Sequence, residues 1–224
     1  MQPYLFPYIG YFQLIHAVDA FVVYDDVTFI KGGWINRNFI LSQGNKTRIT
    51  LQLHGASQNL LINEISIGNN RVKILKSIQR SYSKSPQFNS VFPLIEEVLL
   101  YKENNLAKFI DYSIKNICNY LGIKTKWLLS SDIKKNLSLR GQDKILDVCK
   151  KLGSTQYINA SGGRDLYDSR MFENKGVKLS FIESNEIRYS QFHNDFVPNL
   201  SIIDVMMFNS LERCTHLLKE YSID

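Results

Sequence analysis

Between residues 71 and 121 apolar side chains recur every three or four positions, whereas on either side they gather in short continuous runs. The first spacing is that of amphipathic helices and the second that of buried strands. Val72, Ile74, Leu75 and Ile78 share one face, and Pro86 interrupts the helical pattern beyond them. Leu106, Phe109, Ile110, Ile114, Ile117 and Cys118 then line a long helix over 105–121 that Gly122 stops. Further along, the runs 126–130, 156–159 and 177–182 read as strands, with helices over 142–152, ended by Gly153, and 166–174 between them. That β-α-β-α-β succession predicts a parallel sheet with right-handed crossovers. Residues 27–53 read as extended structure: 34–41, a turn at 43–46, then 47–53, which together signal a hairpin. A short strand over 62–67 and a closing helix over 201–221 complete the expectation. The chain is thus read as a single α/β domain over 1–224, with a three-layer parallel-sheet core, a hairpin at one sheet edge and a helical insert over about 71–121.

The amino-terminal stretch MQPYLFPYIGYFQ follows neither period. Tyr4, Phe6, Tyr8, Tyr11 and Phe12 sit around Pro3 and Pro7, which predicts a stiff aromatic loop rather than a simple core face. It leads into an apolar helical segment over 14–19 and a strand over 20–24 that ends in Asp25-Asp26. A ligand site is one reading; an aromatic arm tucked over the core is the other.

Open parallel sheets bind ligands beyond the carboxyl ends of their strands, and three segments fall there. Asp25 and Asp26 are placed to accept sugar hydroxyls, hold a divalent cation or serve as a general base, or else simply to cap a turn. Asn159-Ala160-Ser161-Gly162-Gly163 has the strand-end, paired-glycine form that cradles phosphate, although it matches no nucleotide fingerprint and also suits a tight turn with a helix cap. Lys31-Gly32-Gly33-Trp34-Ile35-Asn36-Arg37-Asn38 surrounds an indole with hydrogen-bonding side chains, and strand alternation puts Trp34, Asn36 and Asn38 on one face. Trp34 is expected to stack on a sugar or base, with Arg37 reading phosphate or carboxylate; a polar hairpin anchored by one Trp is the alternative. Tyr8 and Tyr11 are expected to line one pocket with Asp25 or Asp26, and Arg37 to enter the same cleft.

Composition narrows the classes. Of 224 residues 44% are hydrophobic and 21% charged, enough apolar matter for a sizeable core. No run approaches the ~20 apolar residues of a membrane span, and the amino terminus lacks the regions of a signal peptide. Cys118, Cys149 and Cys214 lie far apart in helical patterns and read as reduced core residues of a cytoplasmic protein. The four histidines, His16, His54, His193 and His216, make no metal-ligand spacing, so no metal site is assigned, and no cofactor is named. The net charge of +6 suits an anionic small molecule such as a nucleotide or nucleotide-sugar, as well as RNA or no single partner.

The segments QPYLFPYIGYFQLI, FVVYDDV, KGGWINRN, GQDKILDVCKKLGSTQYIN, SGGRDLYD and LSIIDVMMFN together resemble the WbqC-like family across nearly the whole chain. The resemblance implies a place in synthesis of surface polysaccharides (O-antigen, lipopolysaccharide), especially those bearing N-acylated or N-aminoacylated 4-amino-deoxysugars. Family members usually carry a short apolar strand ahead of the Gln-Pro-Tyr; this chain starts almost at it, which bears on how the sheet pairs. A remoter likeness joins Pro7-Tyr8-Ile9-Gly10-Tyr11 to the Pro-His-x-Gly-His loop of HxGH nucleotidylyltransferases. Tyrosines replace both histidines, so nucleotide binding survives the change better than adenylyl transfer does.

Taken together, these readings suggest an enzyme acylating the amine of a nucleotide-linked amino-deoxysugar. Gln2, Tyr4, Tyr8, Gly10, Tyr11, Lys31, Trp34, Asn36, Arg37 and Asn38 would hold the substrate. Asp25 or Asp26 would act on the amine, and Asn159, Ser161, Gly162 and Gly163 would receive phosphate. The acyl donor is left open among an acyl-CoA, an acyl-adenylate and an aminoacyl-tRNA. The rival reading is a non-catalytic nucleotide-sugar binding protein.

Overall fold

A computed structural model describes residues 1–192 and 195–224. His193 therefore lies outside the described residues. The chain runs α1 (Ile9–His16), β1 (Ala20–Val23), the hairpin strands β2 (Arg37–Ser42) and β3 (Asn45–Thr50), β4 (Leu53–His54) and β5 (Ser66–Ile67). Three helices come next, α2 (Arg71–Tyr82), α3 (Phe88–Leu100) and α4 (Leu106–Tyr120). Then come β6 (Lys126–Leu129), α5 (Gly141–Leu152), β7 (Gln156–Ala160), α6 (Ser169–Glu173), β8 (Lys178–Ser184), α7 (Ile202–Phe208), α8 (Leu211–Leu217) and β9 (Tyr221–Ile223). The architecture is mixed α/β, with small sheets that include parallel pairs.

Local chemistry explains most boundaries. The β2–β3 hairpin turns on Gln43 and Gly44, both at positive φ (51° and 73°), as a two-residue turn matched to strand twist requires. Asn105 caps α4 by accepting from the Lys108 N–H. α5 ends where Gly153 turns left-handed, with Ser154 N–H donating to Cys149 O and Gly153 N–H to Lys150 O. The expected closing helix is broken instead at Asn209-Ser210. Asn209 Nδ2 donates to Val205 O at 2.8 Å and Ser210 Oγ accepts from Arg213 N–H, so side chains replace the helix ladder there. The helix expected over 166–174 is shortened to α6, because 161–166 winds as a 3-10 turn and Asp168 caps the new start. Residues 62–64 likewise form a 3-10 turn, leaving only β5 of the strand expected over 62–67. Trp34 to Asn36 lie in turns ahead of β2, so the one-face alternation of Trp34, Asn36 and Asn38 does not hold. Val72 is exposed rather than part of the buried face of α2.

The expected single sheet is divided. β6 pairs in parallel with β1, and β7 pairs in parallel with β8, with β9 antiparallel on the far edge of β8. The segment 126–129 therefore does not share hydrogen bonds with 156–160. A cavity of about 400 Å³ is lined by residues of β1, β6 and β7, with Leu14, Ala17 and Val18 and α5 residues Val148, Cys149 and Leu152 also among its lining. Met1 bonds to β1 and to the residue after it: its amine donates to Val22 O at 2.9 Å, and Tyr24 N–H donates to Met1 O at 2.7 Å. Burial pushes the Met1 amine down to about 5.

One large apolar core runs from Leu5 to Leu218, and a second cluster joins Leu146, Cys149, Phe172 and Val177. The three cysteines are buried and unpaired, and burial pushes their thiols up, to about 12 at Cys118 and about 11 at Cys149 and Cys214. A buried polar knot ties α2, the hairpin and α7 together. Tyr82 OH donates to Asp204 Oδ1 at 2.8 Å and accepts from Leu41 N–H at 2.9 Å, while Tyr189 OH and Gln191 Nε2 donate to Asp204 Oδ2. Burial raises the Asp204 carboxyl above the usual carboxylate range even with these three donors.

Candidate functional site

A cavity of about 1260 Å³ opens where the aromatic loop, the end of β1, the approach to the hairpin, the end of β7 and the start of α5 meet. Gln2, Tyr4 and Tyr8 line it from the loop, and Tyr24 and Asp26 from beyond β1. Gly33, Trp34 and Asn38 line it beside Lys46 of β3, Asn159 from the end of β7, and Gly162 and Gly163 from the turn after it. Residues from all three candidate segments thus share one wall.

The loop is held by its backbone. Phe6 adopts a positive φ of 43°, and its carbonyl accepts from Asn38 Nδ2 at 2.5 Å and from Ser201 Oγ at 2.8 Å. Asn38 Nδ2 also donates to Leu5 O, so this side chain fixes the loop as well as lining the cavity. Gly10 lets Tyr8 fold back against the start of α1. A Cβ built there would come within 2.4 Å of the Tyr8 ring and 2.5 Å of Ser184 Oγ. Tyr11 does not reach the cavity: α1 turns it into the core, where its hydroxyl donates to Gln2 O at 3.1 Å and its ring meets Tyr4 edge-on at 5.1 Å. It supports Gln2 and Tyr4 from beneath.

The two aspartates separate. Asp25 is buried away from the cavity, accepting Ser131 N–H at 3.0 Å and Asn63 Nδ2 at 3.4 Å. Asp26 lines the cavity, with Oδ2 at 2.8 Å from Lys135 Nζ and 3.4 Å from Lys144 Nζ. Burial pushes its pKa up, but hydrogen bonds from Lys135 and Ser130 and the charges of Lys135 and Lys144 outweigh that and hold it below the usual carboxylate range. Its Oδ1 is buried, as is Ser130 Oγ.

The family profile agrees with this layout in extent: the profile of the WbqC-like protein family matches residues 2–216. The chain belongs to the WbqC-like family. It is also similar to the "Uncharacterized protein Rv1507c" of Mycobacterium tuberculosis (strain ATCC 25618 / H37Rv), 27% identical over 214 residues, covering 93% of this chain and 91% of that one. No solved structure matches it.

Other expected residues of this WbqC-like chain lie elsewhere. Lys31 is exposed and Ser161 and Gly10 are not in the cavity wall. Asn36 Nδ2 donates to Leu51 O at 2.7 Å, bracing the hairpin. Arg37 is also absent from the wall, because the chain turns at 34–36 before β2 begins, and its Nε is buried without a partner among the described residues.

Sequence reasoning missed Arg140, Gly141, Gln142 and Lys144, which bring the start of α5 to the cavity. No side chain caps that start, so its first N–H groups keep the unpaired donors of a helix amino terminus. The signal was a strand, a polar loop and Arg-Gly-Gln ahead of an amphipathic run. Tyr157 and Tyr167 were missed too; their hydroxyls lie 3.2 Å apart, and Asn159 Nδ2 donates to Tyr167 at 3.0 Å. Strand alternation from Asn159 already placed Tyr157 on the same side. Lys46, Arg140 and Lys144 give the wall three cations against the single carboxylate of Asp26. Among the described residues no group of acidic, histidine and cysteine side chains is arranged to hold a metal ion. No helix among them is long and apolar enough to cross a membrane.

Proposed function

We propose that the cavity binds a nucleotide-linked amino-deoxysugar and that the protein transfers an acyl or aminoacyl group to its amine, in the cytoplasm, during surface-polysaccharide synthesis. The observation that carries the binding half is the convergence of aromatic, amide and cationic residues from five separated segments on one cavity. Its volume exceeds the roughly 300–1,000 Å³ of ordinary small-molecule sites, which gives room for a nucleotide and a sugar together. Tyr4, Tyr8 and Trp34 offer faces for a base or sugar ring, and Asn38 and Asn159 offer amides to hydroxyls. Arg140, Lys144 and the start of α5, with Gly162 and Gly163 opposite, offer the charge and N–H groups that phosphates take. A three-layer core with the tyrosine loop in the place of the HxGH loop belongs to the same reading.

Acyl transfer to an amine needs positioning and a proton acceptor, and no redox group. In this reading Asp26 orients the amine, while its lowered pKa makes it a weak base; the leaving group takes the proton. Asp25, which caps Ser131, has no part in the step. The lysine clamp on Asp26 also favours a second reading, a nucleotide-sugar binding protein that performs no chemistry. A panel of nucleotide-linked 4-amino-sugars with acyl-CoA, acyl-adenylate and aminoacyl-tRNA donors, followed by mass spectrometry, separates them. An N-acylated sugar supports the transferase. A ligand-dependent rise in melting temperature without product supports the binding protein. Neither response to any sugar overturns both.

A further inference from the structure

Four of the ten large hydrophobic side chains exposed among the described residues stand in the wall of this one cavity: Ile30, Trp34, Leu137 and Leu166, at 50%, 54%, 69% and 70% exposure. They come from three segments far apart in sequence: the approach to the hairpin, the loop before α5, and the 3-10 turn after β7. A lone exposed leucine is ordinary, but convergence of several on one opening marks an interaction surface. Burying any of them inside the fold would have stabilised it, so packing does not account for their place.

Each segment also carries a polar group into the same wall. The Leu137 carbonyl accepts from the Arg140 guanidinium at 2.7 Å. Leu166 adjoins Tyr167, whose hydroxyl meets Tyr157 and Asn159. Trp34 stands four residues from Asn38. Apolar and polar contacts are therefore interleaved within one concave site rather than spread over a flat face. That is the form of a site for one small amphipathic molecule.

We infer that the acyl donor carries an apolar chain, and that Leu137, Leu166 and Ile30 form the subsite for that chain. This rests on the transferase reading and turns from an aminoacyl-tRNA to a donor with an aliphatic acyl group, taken as its coenzyme A thioester. The sugar nitrogen attacks the thioester carbonyl carbon; the C–N bond forms, the C–S bond breaks, and the sulfur leaves as a thiolate that takes the proton from nitrogen.

The test is calorimetric titration of the full chain with coenzyme A and its acetyl, hexanoyl and decanoyl thioesters, with geranyl diphosphate and a nucleotide-linked 4-amino-sugar titrated separately. A fully buried methylene is worth about fourfold in affinity. Decanoyl-CoA is expected to bind at least tenfold more tightly than acetyl-CoA, and Leu137→Gln and Leu166→Gln to remove most of that gain. Both side chains are exposed, so circular dichroism of the variants is expected to show the wild-type fold. A flat thioester series beside a binding amino-sugar overturns the apolar subsite and leaves the transferase reading standing. A gain seen only with geranyl diphosphate overturns the assignment to a thioester donor. A steep series with no amino-sugar binding overturns the transferase reading instead.

Discussion

Lys144 Nζ lies 3.1 Å from the backbone carbonyl of Asp26 and 3.4 Å from its carboxylate, tying the first turn of α5 to the segment beyond β1. Lys135 completes the clamp from the loop between β6 and α5. Removing the carboxylate leaves two largely buried ammonium groups without their counter-charge. Asp26→Asn is therefore expected to cost about 3–5 kcal/mol, as breaking a buried pair from one side does. Urea unfolding of the variant measures it; a loss under about 1 kcal/mol means that water screens the clamp.

The same carboxylate gives a pH signature. Its folded pKa is depressed, so its contribution is present above the unfolded value of about 3.8 and is lost as pH falls through the folded value. Wild type should lose stability in that acid window, and Asp26→Asn should lack this component of the loss. Parallel profiles of the two proteins would show that the ion pairs contribute no linkage.

Gly10→Ala is expected to push the Tyr8 ring out of its place against α1 and Ser184. The cost should be about 1–3 kcal/mol of overpacking, accompanied by weaker binding of the cavity's ligand. Wild-type stability and affinity together would show that the loop relaxes freely.

Tyr82→Phe removes a donor to Asp204 and the acceptor of the buried Leu41 N–H. About 1–3 kcal/mol should be lost, the penalty of an unsatisfied buried group. Thermal unfolding of the variant reads it directly, and an unchanged midpoint would remove the knot from the account of how α2, the hairpin and α7 hold together.

Much of this was legible in the sequence because it depends on neighbours along the chain. Periodicity located α2 and α4, though not α3 between them, and Gly44, Gly122 and Gly153 marked turns and stops through backbone freedom that only a left-handed turn requires. The aromatic loop, Asp26, Trp34 and the residues after β7 were drawn to one site from strand-end reasoning. What escaped depends on distant partners. Nothing local to Asp25 announces that Ser131 will occupy it, and nothing near Arg37 shows that the turn at 34–36 keeps it out of the cavity wall. The division of the sheet is a long-range property as well, since it depends on which distant strands pair. Lys135 and Lys144 read as two of many lysines until folding brings both to one carboxylate.

The central claim is that these converging residues form a binding site for a nucleotide-linked amino-sugar, with the start of α5 at its phosphates. Calorimetric titration of a uridine-diphosphate-linked 4-amino-sugar into wild type and Arg140→Ala tests it most directly. The account predicts saturable one-to-one binding to wild type and a loss of about 1.5–3 kcal/mol in the variant, the worth of a charge-assisted hydrogen bond, with the melting temperature of the free protein unchanged. No saturable heat with wild type, or equal affinity in the two proteins, would contradict it.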